Sequence, residues 1–341
     1  MASLALLSFR LTGVDGVSIE AAKWASAFEG LGHQVRLVAG RGDERVTKIP
    51  GLDLGDQGHV DEHALADALR DVDVVVVDNL LSLPINRAAS EAVARALRGR
   101  PAIIRHHDLA TDRPDTASWW PPPTDETWQH VAISPPVAEA LGDVGIHATL
   151  IWNHFDLTPP LLSRQEARDY FDIDESTTVF LQPTRAIPRK NIPQAIHIAQ
   201  SCNATYWLTG PAEDGYQADL DQILAHASIP IRRGIDPDPI SMAYAACDVV
   251  LLPSTREGFG NPIVESIAQD RPLALGHFPV AQCLRNLGFR FLDADNPEEV
   301  AAWLAHPDPS MLEANRALAA PLFDIDGLEK KLAGVLAEFG F

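Results

Sequence analysis

Residues 247–272 read CDVVLLPSTREGFGNPIVESIAQDRP, and the order of features within them decides the fold. The apolar run 248–253 predicts a short parallel strand buried on both faces. Asn261 followed by Pro262 predicts a helix start, with Asn as N-cap and Pro at the first helical position. Between strand and helix lie Glu257 and the turn Gly258-Phe259-Gly260. In an open α/β sheet such a loop stands at the carboxyl end of a strand, where ligands bind. Glycines let a ligand approach the backbone closely, and the first turn of a helix offers unpaired N–H groups to an anion. Glu257 in the loop and Glu265 in the helix can each accept hydrogen bonds from a polyol. A diphosphate at the helix start with hydroxyls on the two carboxylates suits a sugar nucleotide. The plainer reading is an ordinary βα turn with two solvated glutamates.

The same segment resembles the E-x7-E signature of retaining glycosyltransferases of family 4, enzymes with the GT-B fold. The resemblance implies that Glu257 and the Gly258-Phe259-Gly260 backbone face the donor sugar, and that Glu265 holds the nucleotide ribose. It also implies that Asn261, Pro262 and Ile263 belong to the donor site. Asp270 departs from the pattern, because the family usually has Gly there; the departure is expected to alter only the turn.

Composition limits the rest. A chain of 341 residues suggests two domains. Its 46% hydrophobic content is normal for a globular protein and can supply a sizeable core. The net charge of −20, from 27 basic and 47 acidic residues, argues against nucleic acid as a partner. It also weakens adhesion to an anionic membrane. Cys202, Cys247 and Cys283 are odd in number and widely spaced, so neither zinc nor redox spacing is present. Reduced, mostly buried thiols in a cytoplasmic protein are expected. The apolar start, MASLALLSF, lacks a basic region and a cleavage pattern and reads as a first strand rather than a signal peptide. The sequence holds no apolar segment long enough to predict a membrane-spanning helix.

Strand-like and helix-like segments alternate throughout. Strands are predicted at 3–9, 34–39, 72–78, 102–106, 130–134 and 148–152, with helices at 18–31, 84–97 and 135–141. A polar stretch at 153–164 is the expected junction. Beyond it, strands are predicted at 178–182, 205–209 and 230–232, and helices at 192–200, 217–227 and 240–246. Such alternation implies an α/β fold with two doubly wound, Rossmann-like parallel-sheet domains facing across a cleft. The expected divisions are an N-terminal acceptor-side domain over 1–155 and a nucleotide-sugar-binding domain over 156–322. The family resemblance makes 323–341 a C-terminal helix that crosses back toward the N-terminal domain.

Further residues join the reading. Gln182-Pro183-Thr184-Arg185-Ala186-Ile187-Pro188-Arg189-Lys190-Asn191 follows a strand and precedes a helix, and it makes a positive island in an acidic chain. Arg offers a bidentate fork to phosphate and Lys a point charge. Asn191 is placed to cap the next helix. Arg185 and Lys190 match the spacing of the family's Arg-x4-Lys pair, which implies that they bind the donor diphosphate and stabilise the leaving group; Arg189 does not match. An exposed basic loop is the alternative.

Arg105-His106-His107-Asp108 follows a strand, and the family's His-Asp matches His107 and Asp108, which implies a contact between His107 and the transferred sugar. Adjacent His106 leaves the register open by one. A metal reading is weak, because neighbouring side chains on a strand point to opposite faces. Gly13 and Gly16, in a loop opening the first helix, resemble the family's glycine loop near donor phosphate. Trp119 and Trp120 stand in a Pro-rich loop, either as an acceptor platform or as buried packing. Ser134, Asn153 and Thr209-Gly210-Pro211 are weaker matches, and Arg233-Gly234-Ile235 lies where the family cradles the base.

The expected enzyme is a retaining hexosyltransferase. It moves a hexose from a nucleotide diphosphate sugar, UDP- or GDP-linked, to a hydroxyl of a soluble small molecule or glycan. No metal or other cofactor is expected, since the family needs none and no Asp-x-Asp motif is placed to hold a diphosphate. A sugar-nucleotide epimerase, a phosphorylase, or a non-catalytic nucleotide-sugar-binding protein are the alternatives on the same architecture.

Overall fold

Among the described residues, seven strands build the first sheet: β1 (Ser3–Arg10), β2 (Gln34–Arg41), β3 (Val46–Lys48), β4 (Val74–Asp78), β5 (Ala102–His106), β6 (Trp128–Ala132) and β7 (Ala148–Leu150). Six build the second: β8 (Val179–Gln182), β9 (Thr205–Leu208), β10 (Ile231–Arg233), β11 (Val249–Leu252), β12 (Leu273–Leu275) and β13 (Leu292–Asp293). The computed structural model describes residues 1–13, 15–56, 58–159, 162–233 and 240–341. The chain divides into two units, Met1–His154 with Asp326–Phe341, and Phe155–Ile325. Each unit contains one sheet.

The strand orders are β3-β2-β1-β4-β5-β6-β7 and β10-β9-β8-β11-β12-β13. The strand pairings in both sheets are parallel. Every residue of β4, Val-Val-Val-Val-Asp, is buried. A strand covered by helices on both faces has no solvated face to alternate with, so it reads as an unbroken apolar run. The same holds for β8, β9 and β11, each buried along its whole length. In the first unit the core gathers Leu7, Val75, Val77 and Ile104 with Ala89 and Val93 of the helix Arg87–Ala96 and its C-cap Leu97. In the second it gathers Phe180, Tyr206, Val249 and Leu251 with Ile192, Ile196 and Leu220. In both sheets the strand order reverses direction at one place, between β1 and β4 and between β8 and β11. These are topological switch points, where loops from adjacent strands part and leave a ligand crevice at their carboxyl ends.

Several local expectations need adjustment. The helix after β11 is Asn261–Ala268, and its N-cap is Gly260 rather than Asn261. Gly260 has φ +91°, a backbone setting that glycine adopts without strain, and so it takes the turn. Asn191 holds the N-cap position of the helix Ile192–Ser201, but at φ 51° and without a side-chain capping bond. Asp270 also takes the left-handed conformation, φ 50°, that a glycine would fill, and its carboxylate accepts from Arg316 Nε at 3.1 Å. The first helix begins at Gly16, not Ser18, because Asp15 caps it by accepting from the Ser18 N–H. Short elements without a strong period escaped the sequence reading, among them β3, β13 and the helices Glu62–Ala68 and Pro297–Ala305. The last helix is Leu328–Ala337, with Leu328, Leu332, Val335 and Leu336 buried. It packs on the first helix closely enough that a Cβ at Gly30 would lie 2.3 Å from Glu329 Oε1.

Candidate functional site

The second unit's switch point brings the β8 and β11 loops together. Arg189 and Lys190 sit in the short turn Pro188–Lys190 after β8, and Glu257 lies in the loop after β11. Lys190 Nζ donates to Glu257 Oε1 at 2.5 Å, and Arg189 Nη1 donates to Glu257 Oε2 at 2.5 Å. Arg189 Nη1 also donates to the Arg256 carbonyl at 2.9 Å, while the Thr255 N–H donates to the Arg189 carbonyl at 2.9 Å. One carboxylate therefore carries two cations, one per oxygen. Lys190 and Glu257 are both buried. Burial pushes Glu257 up, but Lys190 and Arg189 pull it further down, to about 2. Burial lowers Lys190; Glu257 opposes that, and the like charges of Arg189 and Arg185 add to it. The two directions agree physically, since the carboxylate has two partners and the buried ammonium shares its one anion with a neighbouring cation. Behind Lys190, its carbonyl accepts from Gln182 Nε2 at 2.8 Å, and Gln182 Oε1 accepts from the buried Tyr206 hydroxyl at 2.5 Å.

Arg185 is placed beside the next loop rather than on Glu257. Its Nη1 lies 2.6 Å from Glu213 Oε2. The loop after β9 is tied to the Arg185 loop by Ala186 N–H to the Pro211 carbonyl, 2.8 Å, and Glu213 N–H to the Ala186 carbonyl, 3.1 Å. Gly210 lets the two loops touch, because a Cβ there would lie 2.5 Å from the Thr184 carbonyl oxygen and 2.7 Å from the Arg185 backbone. The positive island thus carries its own counter-charges: Glu213 on Arg185, Glu257 on Arg189 and Lys190.

Phe259 is buried, with its ring 6.1 Å from Phe155 and 5.8 Å from Phe323 between centroids. Its side chain anchors the loop after β11. Pro262 and Ile263 are buried in the first turn of the helix. Glu265, one turn further on, accepts from the Tyr244 hydroxyl at 2.6 Å through Oε2. Burial and the neighbouring Glu265 charge keep the Tyr244 phenol well above its ordinary range, so it stays a donor. Tyr244 went unnoticed in the sequence, where the helix Ile240–Ala246 carries no local signal of a polar role. Arg233 lies 3.5 Å from Asp221, while Gly234 and Ile235 lie outside the described residues.

The first unit holds a buried polar network at the ends of β4 and β5. Arg105 has no exposed surface; its guanidinium reaches Glu20 at 3.1 Å, Asp78 at 3.3 Å and Asn153 Oδ1 at 3.0 Å. It also stacks over Trp24 at 4.3 Å. His107 Nε2 donates to Asp78 Oδ1 at 2.5 Å, which fixes the imidazole's orientation. Burial raises Asp78, and His107 and Arg105 more than offset it, so its carboxyl is held below the usual range. Asp78, a lone acid closing an apolar strand, was the available signal for this network. His106 turns to the other face: its Nδ1 meets Ser82 Oγ at 2.6 Å, its Nε2 meets His130 Nδ1 at 2.9 Å, and the two rings stack at 5.2 Å. The two adjacent histidines therefore belong to separate environments and do not form a common metal site.

Gly13 lies against Asp15, so that a Cβ at Gly13 would stand 3.0 Å from Asp15 Oδ2, and Gly16 opens the helix. The Asp15 carboxylate, paired with Arg10 Nε at 3.2 Å, already takes the anion position at that helix start. Trp119 donates its indole N–H to the Leu81 carbonyl at 2.8 Å and packs on the first core, while Trp120 packs beside Leu109 and Leu141. Both tryptophans thus fold their loop onto the unit. Among the described residues, His277, Asp293 and Asp295 bring ligand atoms within 4.8 Å of one another, at the ends of β12 and β13. This group is solvated, and His277 Nε2 is already bonded to Asp293 at 2.9 Å.

No family model matches the chain. It is 26% identical to a mannosylglucosylglycerate synthase of Petrotoga mobilis, over 96% of this chain and 95% of the relative. It is 24% identical to a protein of the same name from Thermotoga maritima, over 81% of each. Its structure resembles that of Anabaena Alr3699/HepE in complex with UDP and glucose, with a TM-score of 0.81, 17% identity, and coverage of 99% of this chain and 100% of that one. The architecture is the GT-B fold. The chain is a transferase enzyme, similar along nearly its whole length to glycosyltransferases. Among the described residues, no helix is long and apolar enough to cross a membrane.

Proposed function

We propose that the chain is a retaining glycosyltransferase of family 4 type that moves a hexose from a nucleotide diphosphate sugar to a hydroxyl of a small soluble acceptor. The observation that carries this reading is the cluster of buried Glu257 and Lys190 with half-buried Arg189 at the β8/β11 switch point, with the helix Asn261–Ala268 opening beside it. Departure of a nucleoside diphosphate builds negative charge on the bridging oxygen. Cations fixed in a low-dielectric site stabilise that charge without reorganising, at a worth of about 3 kcal/mol for one lost group. Arg185 and Lys190 are assigned to the diphosphate, Glu265 to the ribose, and Glu257 with the Gly258-Phe259-Gly260 backbone to the sugar. In the first unit, His107, oriented by Asp78, is assigned to the sugar as well. No metal is assigned to this step. Retention is assigned to entry of the acceptor hydroxyl on the face the diphosphate leaves, with a phosphate oxygen taking its proton.

The UDP complex of the Anabaena neighbour favours a nucleotide-sugar donor, and the names of the two sequence relatives favour a small glycoside of glycerate as the product class. The test is nucleotide release from UDP-glucose, GDP-mannose and related donors, with and without glucosylglycerate, and the anomeric configuration of the product by NMR. Acceptor-dependent release with an α-linked product from an α-linked donor supports the reading. Conversion of the donor without acceptor points to an epimerase. Absence of turnover with every donor despite nucleotide binding defeats the transferase assignment.

A further inference from the structure

Arg189 stands outside the Arg185–Lys190 spacing, yet it bridges the β8 and β11 loops at three points. Its guanidinium holds Glu257 Oε2 at 2.5 Å and the Arg256 carbonyl at 2.9 Å, and its own carbonyl accepts the Thr255 N–H at 2.9 Å. Lys190 holds the other oxygen of the same carboxylate at 2.5 Å. Without Arg189, the buried Lys190 and Glu257 would form a closed, neutral pair. An ammonium in such a pair is spent on its internal partner. Turning it toward a ligand phosphate would leave a buried carboxylate uncompensated, which is strongly unfavourable. A second cation changes this balance. Two positive charges on one carboxylate leave a net positive site, and Glu257 stays compensated while Lys190 shares its charge with an incoming anion. The side-chain exposures fit the division, with 27% for Arg189 at the mouth and 9% for Lys190 deeper in.

We propose that Arg189 is a positioning residue: it braces Glu257 and the β11 loop, and by neutralising that carboxylate it keeps Lys190 available to the donor diphosphate. The inference rests on the donor-site reading above. The test is titration calorimetry of wild type, Arg189→Gln and Arg189→Lys with UDP, GDP, UMP and GMP, together with steady-state kinetics on the preferred donor. For Arg189→Gln, affinity for the nucleoside diphosphate is expected to fall about tenfold, the scale of one charge-assisted hydrogen bond. Affinity for the monophosphate, which lacks the second phosphate, stays within about twofold of wild type on the same scale. Arg189→Lys restores the charge and recovers most of the diphosphate affinity, but its single ammonium does not reproduce the fork to Glu257 and Arg256, so kcat remains lowered. Equal losses for mono- and diphosphate overturn the proposal in favour of a purely structural role, as does wild-type-like behaviour of Arg189→Gln. Should Arg189→Gln fail to fold, the Arg189→Lys arm decides: unchanged kcat and affinity there overturn the proposal. If wild type itself binds no nucleoside diphosphate, the donor-site reading falls and this inference with it, a result separable from the variant outcomes.

Discussion

Replacing Glu257 by Gln tests whether the cation cluster is held together by its carboxylate. The folded chain keeps Glu257 at about 2 against an ordinary 4.5, because Lys190 and Arg189 outweigh the burial that pushes it up. A carboxyl depressed in the fold contributes stability that is complete above its unfolded value and is lost as pH falls through the folded one. The difference between about 2 and 4.5 is worth on the order of 3 kcal/mol at neutral pH. Glu257→Gln keeps the shape but leaves two cations facing a neutral amide, at an expected cost of about 3–5 kcal/mol. Lys190→Met costs less, about 1–3 kcal/mol, because Arg189 still compensates the carboxylate. The double variant removes one charge of each sign, so its cost falls short of the sum by about 2 kcal/mol. For a unit of this size 1 kcal/mol corresponds to about 2–4 °C, so Glu257→Gln lowers the Tm of the second unit by roughly 6–20 °C. Calorimetric and urea unfolding of the full chain at pH 7 reads all three variants, and repetition down to pH 3 reads the acid limb. The wild-type advantage over Glu257→Gln should shrink below pH 4.5. Additivity of the two single changes within about 0.5 kcal/mol refutes a shared buried cluster.

Tyr244→Phe removes the hydroxyl that holds Glu265 while keeping the buried ring; donor KM is expected to rise about tenfold with a smaller change in kcat, the worth of one hydrogen bond to a charged group. An unchanged donor KM separates Glu265 from the ribose. Gly210→Ala forces the β9 loop off the Thr184 carbonyl, 2.5 Å from the added Cβ, and is expected to cost about 1–3 kcal/mol of stability together with weaker UDP binding, read by thermal shift with and without UDP. His130, lowered to about 4 by burial, and His106, lowered by burial and by His130 and His107, remain neutral in the fold. The unfolded chain takes up their protons below pH 6.5, so stability declines between pH 6.5 and about 4, and Tm measured at pH 7 and pH 5 should fall less in His130→Gln than in wild type. An identical fall in both assigns the acid sensitivity elsewhere.

The buried strands were legible because a parallel strand with helices on both faces is apolar at nearly every position. Residues 72–78 and 248–253 announce β4 and β11 without any tertiary information. The helices Ile192–Ser201 and Ile240–Ala246 were legible for the related reason that their apolar residues recur with the helical period. Elements such as β13, two residues long, and β3, three residues long, carry too few side chains to establish any period and exist because a neighbouring strand edge offers them hydrogen bonds. The N-cap after β11 shifted by one residue because Gly260, rather than Asn261, takes the left-handed backbone turn there. The tryptophans of the Pro-rich loop carried two readings in the sequence, and their packing became visible only in the structure, where the Trp119 indole N–H donates to the Leu81 carbonyl.

What the sequence determined by itself is the alternating α/β plan and the chemical inventory of each loop, since burial on two faces, helical period and turn residues are local properties of the chain. What only the tertiary structure decided is which loops meet. Lys190 and Glu257 are 67 positions apart, and β8 and β11 become neighbours only because the strand order reverses between them. That adjacency turns a basic loop and an acidic loop into one buried cluster. It also brings Arg189 onto Glu257, although its spacing from Arg185 gave no reason to expect it. Charge pairing depends on distance through space, and a linear pattern does not contain that distance until the sheet is assembled.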